Sequence, residues 1–327
     1  VKTNNGVEDS LVSNSKDITT YQAGGASYTT LTFAGDTVSS PYTLASSTGP
    51  YFISTNFTIA AGVTLTVLPG TVIKMNTSGA GTGCNGSALS CTITVTGTLV
   101  LGSATDPING VVITSRDDDW YGGPTATSDS NPGAGDWGRV VATTATSNLS
   151  FDNAIVRYGG FTTNMIQVSG GAHATSTTSI IEYSNSHALI VGGSTSSLTV
   201  SNSIVRNNYD VGVGVTTQAS ADIQGSTFTG NTRGISIAAE AAEANVTITG
   251  NNFYANNGTS GSTKAGVQYG DNETLTATGN WWGSASGPTT IDPDGDNTRD
   301  AAIADGGGTI TDTPYSATQF DVLPSNL

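Results

Sequence analysis

The chain has 327 residues, of which only 11% are charged, and ten Lys and Arg against twenty-five Asp and Glu leave a formal net charge of −15. That charge repels phosphate backbones and anionic lipid surfaces, which argues against a nucleic-acid partner, and the sequence offers no long apolar run to insert into a membrane. Gly, Ser, Thr, Asn and Val dominate, a mixture suited to short strands and tight turns, because β-branched residues fit a pleated surface and Gly and Asn accept positive φ.

The chain begins at Val1, as the product of signal-peptide cleavage or a trimmed sequence would, and an extracellular or cell-surface location is expected. Residues 1–48 contain YTTLTF (28–33) and YTL (42–44), which alternate apolar and polar like strand. They are read as an N-terminal strand extension, either folded back on the body or available for assembly. The only cysteines, Cys84 and Cys91 in CNGSALSC, either close a small disulfide ring in an oxidising compartment or remain two thiols. Zinc would need two further ligands, and both histidines lie far along the chain. SRDDDW (115–120), with Asp129 and Asp136, forms an acidic loop and a weak candidate for calcium.

A repeat of about two dozen residues then occupies 149–283. Its segments FDNAIVRYGG, STTSIIEYSN, VSNSIVRNN, IQGSTFTGN, ITGNNFYANN and ATGNWWG align on the apolar residues Val156, Ile181, Val205, Phe228, Phe253 and Trp282. Each unit carries a second short apolar run, such as ALIV (188–191) or GISI (234–237). Runs this short, separated by Gly, Asn and Ser, read as strands. One such unit cannot close a core by itself, but copies stacked on one another can. The fold class expected is therefore all-β, a parallel β-solenoid. Residues 49–290 are assigned to it, as roughly nine or ten coils. Trp281 and Trp282 fall in the last recognisable coil, where large rings cover an end that has no neighbour, although a tryptophan pair is also a sugar-stacking platform.

One step after the aligned apolar position stand Arg157, Glu182 and Arg206. At a coil spacing of about 4.8 Å they form a column of alternating charge. Arginine beside a carboxylate is the equipment of a polysaccharide lyase, while a solvated ion-pair ladder is the plainer account and the one expected. The lysines offer no companion near it. A glycosidase needs two carboxylates across a cleft, and Asp152, Glu182, Asp210, Asp222, Glu240 and Glu243 form no evident pair. His173 and His187 lack a serine or cysteine motif.

Taken in order, AAGVTLTVLPGTVIKM (60–75), ITVTGTLVLGSATDPINGVVITS (93–115), GDWGRV (135–140), VRYGG (156–160) and NWWGSASGP (280–288) resemble right-handed parallel β-helix proteins of the microbial cell-surface type, a superfold shared with pectate lyases. The resemblance implies the right hand of the helix and an N-terminal capping region in 50–75.

The acidic tail, 291–327, places Asp292, Asp294, Asp296 and Asp300 in IDPDGDNTRD, as calcium loops place ligands, though Asn297 replaces the usual glycine and Ile303 the closing acid. Calcium or a solvated acidic turn both fit. Because no charged groups converge, the chain is expected not to be an enzyme. It is read instead as an extracellular structural or adhesive protein, self-associating head to tail by strand addition through residues 1–48 or the tail. The alternative is a polysaccharide-binding module or polysaccharide lyase on the same fold.

Overall fold

The computed structural model describes residues 28–48, 50–77, 84, 91–103, 109–125, 128–238, 245–257, 264–289, 300–304 and 307–322. Over these residues the short strands stack into three sheets of nine, ten and eight strands, and two more strands, Thr274–Thr276 and Thr309–Thr311, pair beyond them. The first sheet runs from Thr29–Thr30 to Asn252–Tyr254, the second from Thr37–Val38 to Ala302–Ala304 and the third from Tyr42–Leu44 to Val246–Thr249. Parallel neighbours cannot be joined by a hairpin, so the chain visits the other two sheets before returning. One repeat is one such circuit, and the molecule is a three-sided parallel β-helix.

The aligned apolar residues form one interior column. Val156, Ile181, Val205, Phe228 and Phe253 are partners in successive strands of the first sheet, and all are fully buried. Ile73 and Ile113 extend the column upstream. A bridge between Asn252 and Trp281 carries it downstream to Trp282, whose ring stacks on Phe253 at 4.8 Å as Phe253 does on Phe228 at 5.3 Å. Trp281 is half-buried and meets the Tyr254 ring edge-on at 5.7 Å.

The corners on either side of the first sheet turn through left-handed residues, Asn153, Thr178 and Asn202 before it and Tyr158, Tyr183 and Asn207 after it. Such a turn aims the next backbone N–H inward, away from the strand ladder, where an unpaired donor is costly. A side chain from the following coil accepts it. Ser179 N–H donates to Ser203 Oγ at 3.2 Å, Ser203 to Ser226 Oγ at 3.1 Å, Ser226 to Asn251 Oδ1 at 2.9 Å and Asn251 to Asn280 Oδ1 at 2.9 Å. At the other corner the series is Ser184, Asn208, Asn231, Asn256 and finally Asp300, over 2.9 to 3.3 Å. These buried ladders explain the Asn and Ser content of the repeats.

The described part of each terminal segment is built into the stack. Thr29–Thr30, Thr37–Val38 and Tyr42–Leu44 pair with the coil that follows and make the first turn of the helix. Ala302–Ala304 pairs with Ala265–Tyr269 at the other end. Cys84 and Cys91 form a disulfide, with Cα atoms 4.9 Å apart. No helix among the described residues is long and apolar enough to cross a membrane.

Candidate functional site: the outer face of the first sheet

Strand alternation that sends Val156 inward sends its neighbour outward. Register therefore makes one outward column of Lys74, Thr114, Arg157, Glu182, Arg206, Thr229 and Tyr254. Two residues earlier on the same strands, Val112, Ile155, Ile180 and Ile204 form an apolar row packed against Val72 and Tyr121.

This face is roofed. The described residues of the segment between strands Val111–Ser115 and Arg139–Ala142 cover part of it, and Asp118 and Gly123 are tied down by the column itself. Lys74 Nζ donates to the carbonyls of Asp118, at 2.8 Å, and Gly123, while Thr114 Oγ1 donates to Asp118 Oδ2 at 2.5 Å. At the far end of the segment Trp137 is fully buried and its Nε1 donates to the Arg157 carbonyl at 2.7 Å. A Cβ on Gly159 would come within 2.7 Å of the Trp137 ring, so GDWGRV and VRYGG are two halves of one contact.

The ion pairs beneath are correspondingly buried, with 0% exposure at Lys74, 2% at Glu182 and 3% at Asp118. The expectation of a solvated ladder without a lysine companion is thus corrected: strand register places Lys74 in the column, and an inserted loop, invisible to the repeat, brings Asp118 and Tyr121 to it. Arg206 Nε donates to Glu182 Oε2 at 2.7 Å. Glu182 Oε1 lies 3.1 Å from Arg157 Nε but off the line of its N–H, so that contact is charge attraction rather than a hydrogen bond. Asp118 Oδ2 is 3.9 Å from the same Nε, so the two carboxylates share one guanidinium nitrogen.

Aromatic rings complete the arrangement. The Arg157 guanidinium lies 4.5, 5.3 and 5.7 Å from the centres of Tyr158, Tyr183 and Tyr121, and Tyr158 and Tyr183 stack at 5.3 Å. Burial alone would lower Arg157, but Glu182 foremost, with Tyr158 and Asp118, outweighs it and holds the guanidinium above its ordinary value. Burial pushes the Tyr121 and Tyr158 phenols up to about 12, Arg157 opposing it. Both therefore stay protonated at neutral pH. Lys74 is lowered by burial, which Asp118 partly offsets.

The array meets solvent at its C-terminal end. Thr229 is the partner of Arg206, and beside it a cavity of about 300 Å³ is lined by Ile204, Thr227, Thr229 and Tyr254 of the sheet and by residues 319–322 of the tail. The tail is strapped there by one side chain: Phe320 N–H donates to Asn252 Oδ1 at 2.8 Å, and Asn252 Nδ2 donates to the Phe320 carbonyl at 3.0 Å.

The other residues singled out in the sequence are dispersed. Asp152 and Asp222 lie on the third sheet, as does His173, whose Nδ1 is 2.7 Å from Ser197 Oγ. His187 and Asp210 belong to the corner leading into the second sheet, where Asp210 lies 3.6 Å from His187 Nδ1 and 2.5 Å from Arg233 Nη2. Asp292, Asp294, Asp296, Glu240 and Glu243 lie outside the described residues. Asp300 ends the asparagine ladder, both its carboxylate oxygens accepting from Asn256. In the acidic loop Asp117 pairs with Arg116, Asp119 accepts from Ser128 and Asp136 from Ser115. Among the described residues no group of three or more His, Cys, Asp or Glu is placed to hold a metal ion.

Residues 139–292 match the family model described as a right handed beta helix region, which agrees with the hand that the family resemblance implies. A crystal structure of a mutant of the periplasmic alginate epimerase AlgG is similar at 13% identity and a TM-score of 0.37, over 84% of this chain and 76% of that one. No curated protein matches the sequence. The chain has the right-handed parallel β-helix fold, and a likeness of that degree to the epimerase is silent on its activity. The expectation that it is not an enzyme is nevertheless withdrawn. Its premise was that charged groups fail to converge, whereas five of them converge on the first sheet.

Proposed function

We propose that this chain is an extracytoplasmic protein that binds and chemically modifies a polysaccharide at the outer face of its first sheet. The observation that carries this reading is the convergence of Lys74, Arg157, Arg206, Glu182 and Asp118 with three tyrosines on one face, ending beside an open cavity. Aromatic faces and paired polar groups are what recognition of a hydroxyl-rich ring requires. Beyond recognition, Arg206, at the accessible end of the array, supplies fixed positive charge to stabilise a developing anion. The Cys84–Cys91 disulfide supports an oxidising, extracytoplasmic compartment.

The test is a panel of neutral and acidic polysaccharides at several pH values, with binding read by affinity electrophoresis and modification by new reducing or unsaturated ends and by product stereochemistry. At least one polymer is expected to be retained and altered, and Arg206→Ala is expected to lower turnover by about a hundredfold, the usual scale for loss of one acid–base or charge-stabilising partner. Retention of no polymer would contradict the reading.

A further inference from the structure

The cavity under the tail differs chemically from the charged array that it adjoins. Its walls combine the apolar surfaces of Ile204 and Tyr254 with the hydroxyls of Thr227 and Thr229, the Gln319 amide and the Asp321 carboxylate. Thr227 Oγ1 accepts from Asn252 Nδ2 at 3.0 Å, so the same asparagine that straps Phe320 also orients a wall of the cavity. Among the described residues the only formal charge in the lining is Asp321. Arg206, one coil away, has Glu182 as a counter-charge. A volume of about 300 Å³ lies at the small end of the range for small-ligand sites.

We infer that this cavity is a subsite for a single neutral sugar ring, which lies on Tyr254 and hydrogen-bonds through its hydroxyls to Thr229, Gln319 and Asp321. A hydroxyl donates to the Asp321 carboxylate and accepts from the Gln319 amide, whereas a uronate placed there would set two like charges side by side with no cation in the lining to relieve them. The subsite therefore selects a neutral unit next to whatever unit meets Arg206. The tail forms one wall, held at Phe320 by the Asn252 side chain and further back by Ser316 N–H on the Asn280 carbonyl and by the pairing of Thr309–Thr311 with Thr274–Thr276, so the subsite is complete only while the tail is docked. The inference rests on the polysaccharide reading for its biological sense, but the binding it describes can be measured without it.

The experiment is saturation-transfer NMR and titration calorimetry of the full chain with methyl glycosides of neutral hexoses and with the corresponding uronic acids. At least one neutral glycoside should bind saturably, at least tenfold more tightly than its uronate. Tyr254→Leu and Thr229→Val should each weaken it about tenfold, and Thr175→Val on the exposed third sheet should not. Asp321→Asn, a change on the tail that leaves the sheet intact, should narrow the gap between neutral and acidic sugar at least threefold. Absence of saturable neutral binding, a preference for uronates, or an unchanged gap in Asp321→Asn would overturn the inference. Glycoside binding without retention of any polysaccharide would instead overturn the proposed function and leave the subsite standing. Retention of a polymer without glycoside binding would do the reverse.

Discussion

Glu182 faces two arginines from a position with 2% exposure, and its removal would leave both without their shared counter-ion. Breaking a buried pair from one side is far more costly than losing a surface one. Glu182→Gln is expected to destabilise the fold by about 3 kcal/mol, and Asp118→Asn by less, since its carboxylate stands 3.9 Å from Arg157. Urea unfolding midpoints measure both, and a loss within the surface range for Glu182→Gln would return the column to a solvated ladder. His187 makes a pH test. Burial lowers it, Asp210 opposes that and Arg233 adds to it. A histidine lowered on folding binds its proton more tightly when unfolded, so its contribution is present above about pH 6.5, the unfolded value, and is lost as pH falls below it. Stability measured across that range should decline on acidification, and His187→Gln should flatten the decline. At this scale the sequence revealed the alternation of Arg157, Glu182 and Arg206, because the repeat fixes their register. It concealed Lys74 and Asp118, because the coils between Ile73 and Val156 carry insertions that break the two-dozen-residue period.

The corners are the elements on which the stack depends. Asn231 Oδ1 accepts from the backbone and the side chain of Asn208, and its Nδ2 donates to the Val205 carbonyl and to Asn256. Asn231→Ala strands several buried groups and is expected to cost about 3 kcal/mol, whereas Asn148→Ala on an exposed edge should stay within about 0.5 kcal/mol. Thermal or chemical unfolding of the two variants side by side checks this. The aromatic end of the interior column has its own signature: Phe253→Ala opens a gap between Phe228 and Trp282 and should cost about 3 to 5 kcal/mol. The aligned segments disclosed this column from Val156 to Trp282 because interior residues of a parallel stack must share one step. The ladder role of Asn and Ser was not legible in the same way, since these residues also populate ordinary turns. Asp300 shows the ambiguity most plainly. Its spacing from Asp292 reads as a metal loop, while its place in the fold is the terminal acceptor for Asn256.

At the scale of the whole molecule, the described residues at each end of the helix include strands from the segments that the sequence assigns to an N-terminal extension and an acidic tail. A two- or three-residue strand such as Thr29–Thr30 carries too little alternation to be assigned to a sheet without its partner Tyr51–Ile53. Deleting residues 300–327 should uncover the edge of Ala265–Tyr269 and the neighbourhood of Trp282, and exposed parallel edges recruit other chains. Sedimentation velocity should then show association of the truncated chain beyond that of the intact one. A truncated chain that stays as dispersed and as stable as the parent would show that the tail is not a cap. The roof formed around Asp118, Tyr121 and Gly123 and the tail at 314–322 leave the Arg206 end of the first sheet as its accessible part, and the central claim is that a polysaccharide binds there. Hydrogen–deuterium exchange with and without a retained polysaccharide tests that claim most directly. Protection is expected in the peptides containing Arg206, Thr229, Tyr254 and residues 316–322, and protection confined to the third sheet, or none at all on binding, would contradict it.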